Sequence, residues 1–488
     1  MRGHMNQRRS LLRASLYVAA IALVAIVSSS SALSQRLQPE KRAARLSSSS
    51  LPLATGIIDP WVFSGENANR AFDDVRRTGS TFVRFFVNWS GIAPTSIPLA
   101  AAEDPSDSRY LWQTIDTETT QALAHGLTPV LCLVGAPGWA QVQIEGSNDA
   151  APDPTAFAAF AKAAAQRYSG SFEGLPRVRY WQAWNEPNLA MWLSPQRVNG
   201  KSFSPGWYRS MVVAFANAVK SVDSTNVVIA GALAPYAYLD GIAPLEFIRE
   251  FFCLAPDLSS TCKEKLPIDV WGAHPYTDGG PTHKAANPDG LALGDLPALR
   301  KTLQAAIRLG HVSAKLRTWT TEFSWDTKPP DPAAVPMATH ARWVAEALHV
   351  MWINGISNVI WFGLYDQPQT KKYDSGFYFA QDASGKARPK LSLRAFRFPF
   401  VAYPARARIA VWGRTPTSSR GTVVIEIRKR GRWSRLGTLK ANAYGIFKGS
   451  LRTKGSWTHA RARLGNELSV SFTAKPPPDP GITSAFGS

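Results

Sequence analysis

The run VRYWQAWNEPN, residues 178–188, is largely apolar and aromatic as far as Trp184 and then turns polar at Asn185 and Glu186. That pattern reads as a buried strand whose end reaches solvent. A lone glutamate there is ordinarily a helix cap or half of a surface ion pair, so its meaning depends on whether the arrangement recurs. Runs of the same kind are ATGII (54–58), TFVRFFV (81–87), TPVLCLV (128–134), NVVIAGA (226–232), IDVWGAH (268–274), RTWTTEF (317–323) and SNVIWFG (357–363). Counting VRYWQAW (178–184), there are eight. Amphipathic stretches such as PTAFAAFAKAAAQRY and GWYRSMVVAFANAVKSV lie between them. Strict alternation of strand and helix predicts an α/β fold with a parallel sheet, and eight units predict closure into a (β/α)8 TIM barrel over residues 51–403.

In a barrel of this kind the residues just past each strand gather at one mouth, where active sites lie. Glu186 ends the fourth run and Glu322 the seventh, which places two carboxylates across one opening despite their distance in sequence. Other strand ends add Arg84 and Asn88, Trp139, His274 and Tyr276, and Trp361. Taken singly, each has an ordinary structural explanation; together they fall at the same end of successive strands. Paired acids with tryptophans nearby suit cleavage of a glycosidic bond, one carboxyl protonating the departing oxygen and the other attacking the anomeric carbon or activating water, with sugar faces stacking on indoles. Arg84 and Tyr276 are the groups expected to keep Glu322 ionised, leaving Glu186 as the acid.

The formal net charge of +20 is unevenly spread. Residues 51–403 are balanced, whereas residues 404–475 hold 16 Lys/Arg against only Glu426 and Glu467. A nucleic-acid reading of the whole-chain charge is therefore misplaced. The short strands and turns of RIAVWG, GTVVIEIRKRGRWSRLGTL, GIFKGSL and ELSVSF predict a small antiparallel β-sandwich over 404–475, followed by a loose tail, 476–488. Its basic face is either a solvated surface or an attachment to an anionic cell-wall or surface polymer. A barrel that closes on its own core is expected to fold without it.

Arginines at Arg2, Arg8, Arg9 and Arg13 precede the apolar run LYVAAIALVAIV and small residues ending at Ala32, the order of a secretory signal peptide (1–32), with a linker at 33–50. The apolar run is short for a spanning helix, so an uncleaved anchor is the weaker reading. A secreted or surface-associated protein with no stable membrane span after cleavage is expected. In that compartment Cys253 and Cys262 are expected to pair, leaving Cys132 as a buried thiol.

The WNEPN motif after the fourth strand, TEFSW after the seventh, HPY after the sixth and the arginine of the second strand together resemble retaining glycoside hydrolases of clan A; with GAPGWA, the chain looks most like family 39. The resemblance covers most of residues 51–403. It implies Glu186 as acid/base, Glu322 as nucleophile, Asn185 on the sugar 2-hydroxyl, Arg84 and Tyr276 orienting the nucleophile, and Trp361 as the floor of the subsite for the attacked sugar. The substrate implied is a polysaccharide or oligosaccharide, and no cofactor is implied. The third strand lacks the His-Asp or His-Trp pair that several clan members place beside the substrate, which leaves the sugar open. A catalytically silent polysaccharide-binding barrel is the alternative, and the presence of both acids argues against it. A metal-dependent hydrolase fails on ligands, because His274 and His283 belong to neither a His-x-His nor an HExxH arrangement.

Overall fold

The computed structural model describes residues 51–238, 240–367 and 373–478. The leader (1–32), the linker (33–50) and most of the expected tail lie outside the described residues. No helix among the described residues is long and apolar enough to cross a membrane.

Strands β1 (Ala54–Ile58), β2 (Phe82–Asn88), β3 (Thr128–Val134), β4 (Tyr180–Ala183), β5 (Val227–Leu233), β6 (Val270–Ala273), β7 (Arg317–Thr320) and β8 (Ile356–Phe362) form a closed barrel in chain order, β8 pairing back onto β1. Every pair is parallel. Helices α1 (Ala68–Arg77), α2 (Gln113–Ala124), α3 (Pro154–Arg167), α4 (Ser204–Val222), α5 (Pro244–Phe251), α6 (Leu296–Arg308), α7 (Met337–Ile353) and α8 (Leu391–Arg397) follow the strands one by one. Local chemistry sets their starts. In α3, Pro154 occupies the first turn, while the Asp153 carboxylate accepts from the Thr155 and Ala156 amides at 2.6 and 3.0 Å.

The alternation along each strand decides what reaches the barrel interior. On β2, Phe82, Arg84 and Phe86 point inward, while Val83, Phe85 and Val87 join the outer apolar layer. Phe82, Tyr180 and Trp319 pack ring against ring, 5.3–5.4 Å between centroids, and plug the barrel. Arg84 and Gln182 lie above this plug, in register with Val130 and Cys132 of β3. Cys253 and Cys262 form a disulfide with Cα atoms 5.5 Å apart, and Cys132 is free and buried.

The C-terminal unit comprises β9 (Phe400–Ala405), β10 (Arg408–Arg414), β11 (Gly421–Lys429), β12 (Arg432–Ala441), β13 (Ile446–Arg452), β14 (His459–Leu464), β15 (Glu467–Leu468) and β16 (Phe472–Thr473). They make two antiparallel sheets, β9-β10-β13 and β12-β11-β14-β15, with β16 on β14. The boundary drawn at 403/404 falls inside β9. The unit is also not a separate core. Arg414 of β10, fully buried, donates to the carbonyls of Leu53 at 2.8 Å and Phe396 at 3.2 Å. Trp412 packs on His349 and Trp352 of α7, and Arg342 of α7 donates to Thr473. These contacts make α7 buried nearly all round, whereas the outer face of a barrel helix ordinarily meets water.

Candidate active site

Glu186 leaves the end of β4 in a left-handed backbone conformation, φ 41°, two residues after Trp184 at φ 66°. Such values are uncommon for side-chain-bearing residues and cluster at functional sites. The Glu186 amide donates to the Ala232 carbonyl at 3.0 Å, and Trp184 to Leu133 at 3.0 Å, so the irregular turn is held by the strands on both sides. Its carboxylate Oε1 lies 2.9 Å from His274 Nδ1. Burial raises the Glu186 carboxyl to about 7, opposed by the Arg84 charge and a hydrogen bond from Trp192.

His274 itself is buried and pushed down to about 3, chiefly by burial, and is therefore a neutral imidazole. Its Nε2 lies 3.0 Å from Thr321 Oγ1. The ring can thus donate to an ionised Glu186 or accept from a protonated one, with Thr321 supplying the complementary role on the far nitrogen.

Glu322, just beyond β7, is held from two directions. Arg84 Nη1 approaches Oε2 at 3.2 Å, and the Tyr276 hydroxyl donates to Oε1 at 2.8 Å. Burial keeps Tyr276 well above the ordinary phenol range, so it stays protonated and remains a donor. Arg84 is fixed in turn: Nε donates to Gln182 at 3.0 Å and Nη2 to Asn185 Oδ1 at 2.7 Å, with Cys132 Sγ at 3.2 Å. Burial raises the Cys132 thiol to about 11, which keeps it neutral beneath the guanidinium.

Oxygens of Glu186 and Glu322 and a ring nitrogen of His274 all lie within 4.8 Å of one another, close enough to grip a metal ion. The donor chemistry does not favour one. A guanidinium already faces Glu322, and its positive charge would oppose a cation at that point.

The acids open into a cavity of about 850 Å³ lined by sixteen of the described residues. Asn185, Glu186, Tyr276 and Glu322 reach it as the sequence suggested, with Arg84 and His274 immediately behind. Three other expected residues lie away from it. Trp361 faces outward on β8, stacked on Phe377 and donating to the Ser375 carbonyl at 2.8 Å; its neighbour Phe362 faces the cavity instead. Trp139 is bonded to the Ala93 carbonyl and packs on Trp89. Asn88 accepts from Ser90 at the exposed end of β2.

Sequence reasoning missed the aromatic wall. Trp61, from the loop after β1, stacks on Tyr373 from the loop after β8, 5.7 Å between centroids. Opposite them Phe86 stacks on Trp192 at 6.0 Å. Asp59 ties the first pair in place: its carboxylate accepts from the Trp61 amide at 3.2 Å and from the Leu364 amide at 2.9 Å, bridging the β1 and β8 loops. An Asp at the end of the first predicted strand, two residues before a tryptophan, was the available signal.

No protein-family model matches the chain, and no curated protein matches it. Among solved structures, a family 39 glycoside hydrolase from Bacteroides cellulosilyticus WH2 superposes with a TM-score of 0.52 at 16% identity, over 83% of this chain and 81% of that one. The family 39 enzyme from Xanthomonas axonopodis pv. citri gives 0.48 at 17% identity, over 83% and 92%. At such identities the first likeness is one of fold, a (β/α)8 barrel carrying C-terminal antiparallel sheets, and that is the fold of this chain.

Proposed function

We propose that the chain is a secreted retaining glycoside hydrolase of clan A that cleaves β-linked O-glycosides, with Glu322 as nucleophile and Glu186 as acid/base. The observation that carries this reading is two carboxylates facing one cavity, an oxygen of one within 4.8 Å of an oxygen of the other, each in a different electrostatic setting. Retaining sites hold their carboxyls about 5–5.5 Å apart, whereas inverting sites need roughly 6.5–9.5 Å to admit a water. In the first step a Glu322 oxygen attacks the anomeric carbon while Glu186 passes its proton to the departing oxygen. In the second, Glu186 takes a proton from water, the water oxygen attacks the same carbon, and Glu322 leaves. Asn185 has its Oδ1 committed to Arg84, so its amide N–H₂ is the group offered to a sugar 2-hydroxyl.

The pH profile tests the acid role. With the Glu186 carboxyl at about 7, the protonated form is full below that pH and is lost above it. For glycosides with poor leaving groups, kcat/KM should fall about tenfold per pH unit above ~7. Glu186→Gln should remove that limb and lower the plateau by ~10²–10⁴-fold, with far less effect on activated aryl glycosides. A profile flat to pH 9 on an unactivated glycoside would sink the assignment.

The C-terminal unit supports surface attachment to an anionic polymer. Its edge strand β12 exposes Arg432, Arg435 and Lys440, and Arg428, Arg430 and Lys454 are exposed nearby. Charged edges also deter strand pairing, so the discriminating measurement is co-sedimentation with anionic cell-wall polymer. Binding should weaken severalfold as salt rises from ~0.05 to ~0.5 M, because exposed charges are screened; salt-independent binding would discard the attachment.

A further inference from the structure

We propose that the leaving group is a bulky apolar aglycone rather than a further sugar, an inference that rests on the glycosidase reading above. The cavity is unusual in what it lacks. Among the described residues, sixteen line it, and of these only Glu186 and Glu322 carry charged side chains.

The two sides of the cavity differ. On the side of Glu322, Tyr276, Tyr373 and Trp61 combine ring faces with polar atoms, which suits a sugar ring. The side of Glu186 is built from the loops after β4 and β5 and presents Leu189, Ala190, Met191, Ala234 and Pro235, none with a polar side-chain group. Among the described residues, the other polar side chains lining that side are Tyr238 and Trp192, whose indole already bonds to Glu186. A departing sugar would surrender hydrogen bonds to water and gain few in return. An alkyl or polycyclic group would lose nothing.

This wall is fixed relative to the acid. The Leu189 amide donates to the Glu186 carbonyl at 3.0 Å. Fully buried Asn188 clamps the two loops together, accepting from the Ala234 amide at 2.9 Å and donating to the Ala234 and Ile242 carbonyls at 3.2 Å each. Met191 stands at the rim with 81% of its surface exposed, a flexible thioether well suited to cover an irregular apolar ligand. At about 850 Å³ the space exceeds what a single sugar fills and lies within the range of pockets that enclose drug-sized ligands.

The test separates this inference from the reading beneath it. A panel of aryl glycosides first identifies the sugar; failure of every one, with wild type and Glu322→Ala equally inert, would overturn the glycosidase reading alone. With the sugar known, methyl, hexyl and octyl glycosides share nearly the same leaving-group chemistry, so a difference reports aglycone binding. Each fully buried methylene is worth roughly three- to fourfold, and kcat/KM should rise at least about tenfold from methyl to octyl. Met191→Lys should flatten the rise.

Independently of turnover, octyl β-glucoside below its micelle concentration should bind the Glu322→Gln protein at least about tenfold more tightly than methyl β-glucoside, read by isothermal titration calorimetry. Equal affinity and equal kcat/KM across the series, or a disaccharide of the same sugar preferred over its octyl glycoside, would overturn the proposal.

Discussion

Glu322→Ala is expected to lower kcat on aryl glycosides by at least about 10⁴-fold, the order seen when a covalent nucleophile is removed. The loss has a specific cause. Arg84 and Tyr276 both aim donors at the two oxygens of this carboxylate, at 3.2 and 2.8 Å, so the site is organised around an anion at that position. Truncation leaves a small void bordered by a guanidinium and a hydroxyl, which suits a small anionic nucleophile. Azide should therefore restore part of the rate and yield a glycosyl azide of inverted configuration, because only one displacement then occurs. Wild-type product, followed by NMR from the first turnovers, should retain its anomeric configuration. Inversion by the wild type, or an alanine variant within tenfold of it, would remove Glu322 from the nucleophile's role.

Much of this site was legible because the barrel converts sequence position into spatial position. Once strand and helix alternate eight times, Glu186 and Glu322 must share a mouth whatever separates them in the chain. The strand runs nonetheless overshot. β4, β6 and β7 end their ladders at Ala183, Ala273 and Thr320, while the apolar pattern continues to Trp184, His274 and Phe323. Of those extra residues Glu322 lines the cavity and His274 lies behind it, while Trp184 and Phe323 return to the apolar core, and apolar character alone does not reveal where a ladder stops.

Trp361 was assigned to the wrong face for a related reason. Neighbouring strand residues point oppositely, and in SNVIWFG both Trp361 and Phe362 are plausible linings until the register with β1 is known. Trp61, Trp192, Tyr238 and Tyr373 had no periodicity to betray them, since each sits on a different loop and meets the others only through closure. HARARL, absent from the strand runs read in the sequence, is β14: Ala460 and Ala462 face the core while Arg461 and Arg463 bond to Glu426 at 2.7 and 3.0 Å, so its alternation is carried by alanines too small to mark a strand.

A chain ending at Tyr403 is expected not to fold cooperatively, contrary to the independence that barrel closure suggests. Removing residues 404–488 would strip Trp412 from His349 and Trp352, Phe472 from Tyr403 and Arg342, and the Arg414 side chain from the Leu53 and Phe396 carbonyls. Exposing large apolar side chains costs about 1.5–3 kcal/mol each, so three or four such losses reach the whole stability of a typical domain, about 5–15 kcal/mol. The truncated β9 would also present an unpaired edge after losing β10, a template for aggregation. A milder variant keeps the idea testable if the short chain is simply insoluble. Trp412→Ala in the full chain should lower unfolding stability by about 3–5 kcal/mol. It should leave kcat of the folded protein unchanged, because Trp412 touches α7 on the barrel's outer side rather than the cavity. A short chain with a sharp unfolding transition at the full-length midpoint would show that the basic unit is an appendage after all. A Trp412→Ala variant of undiminished stability would show that α7 does not need its cover.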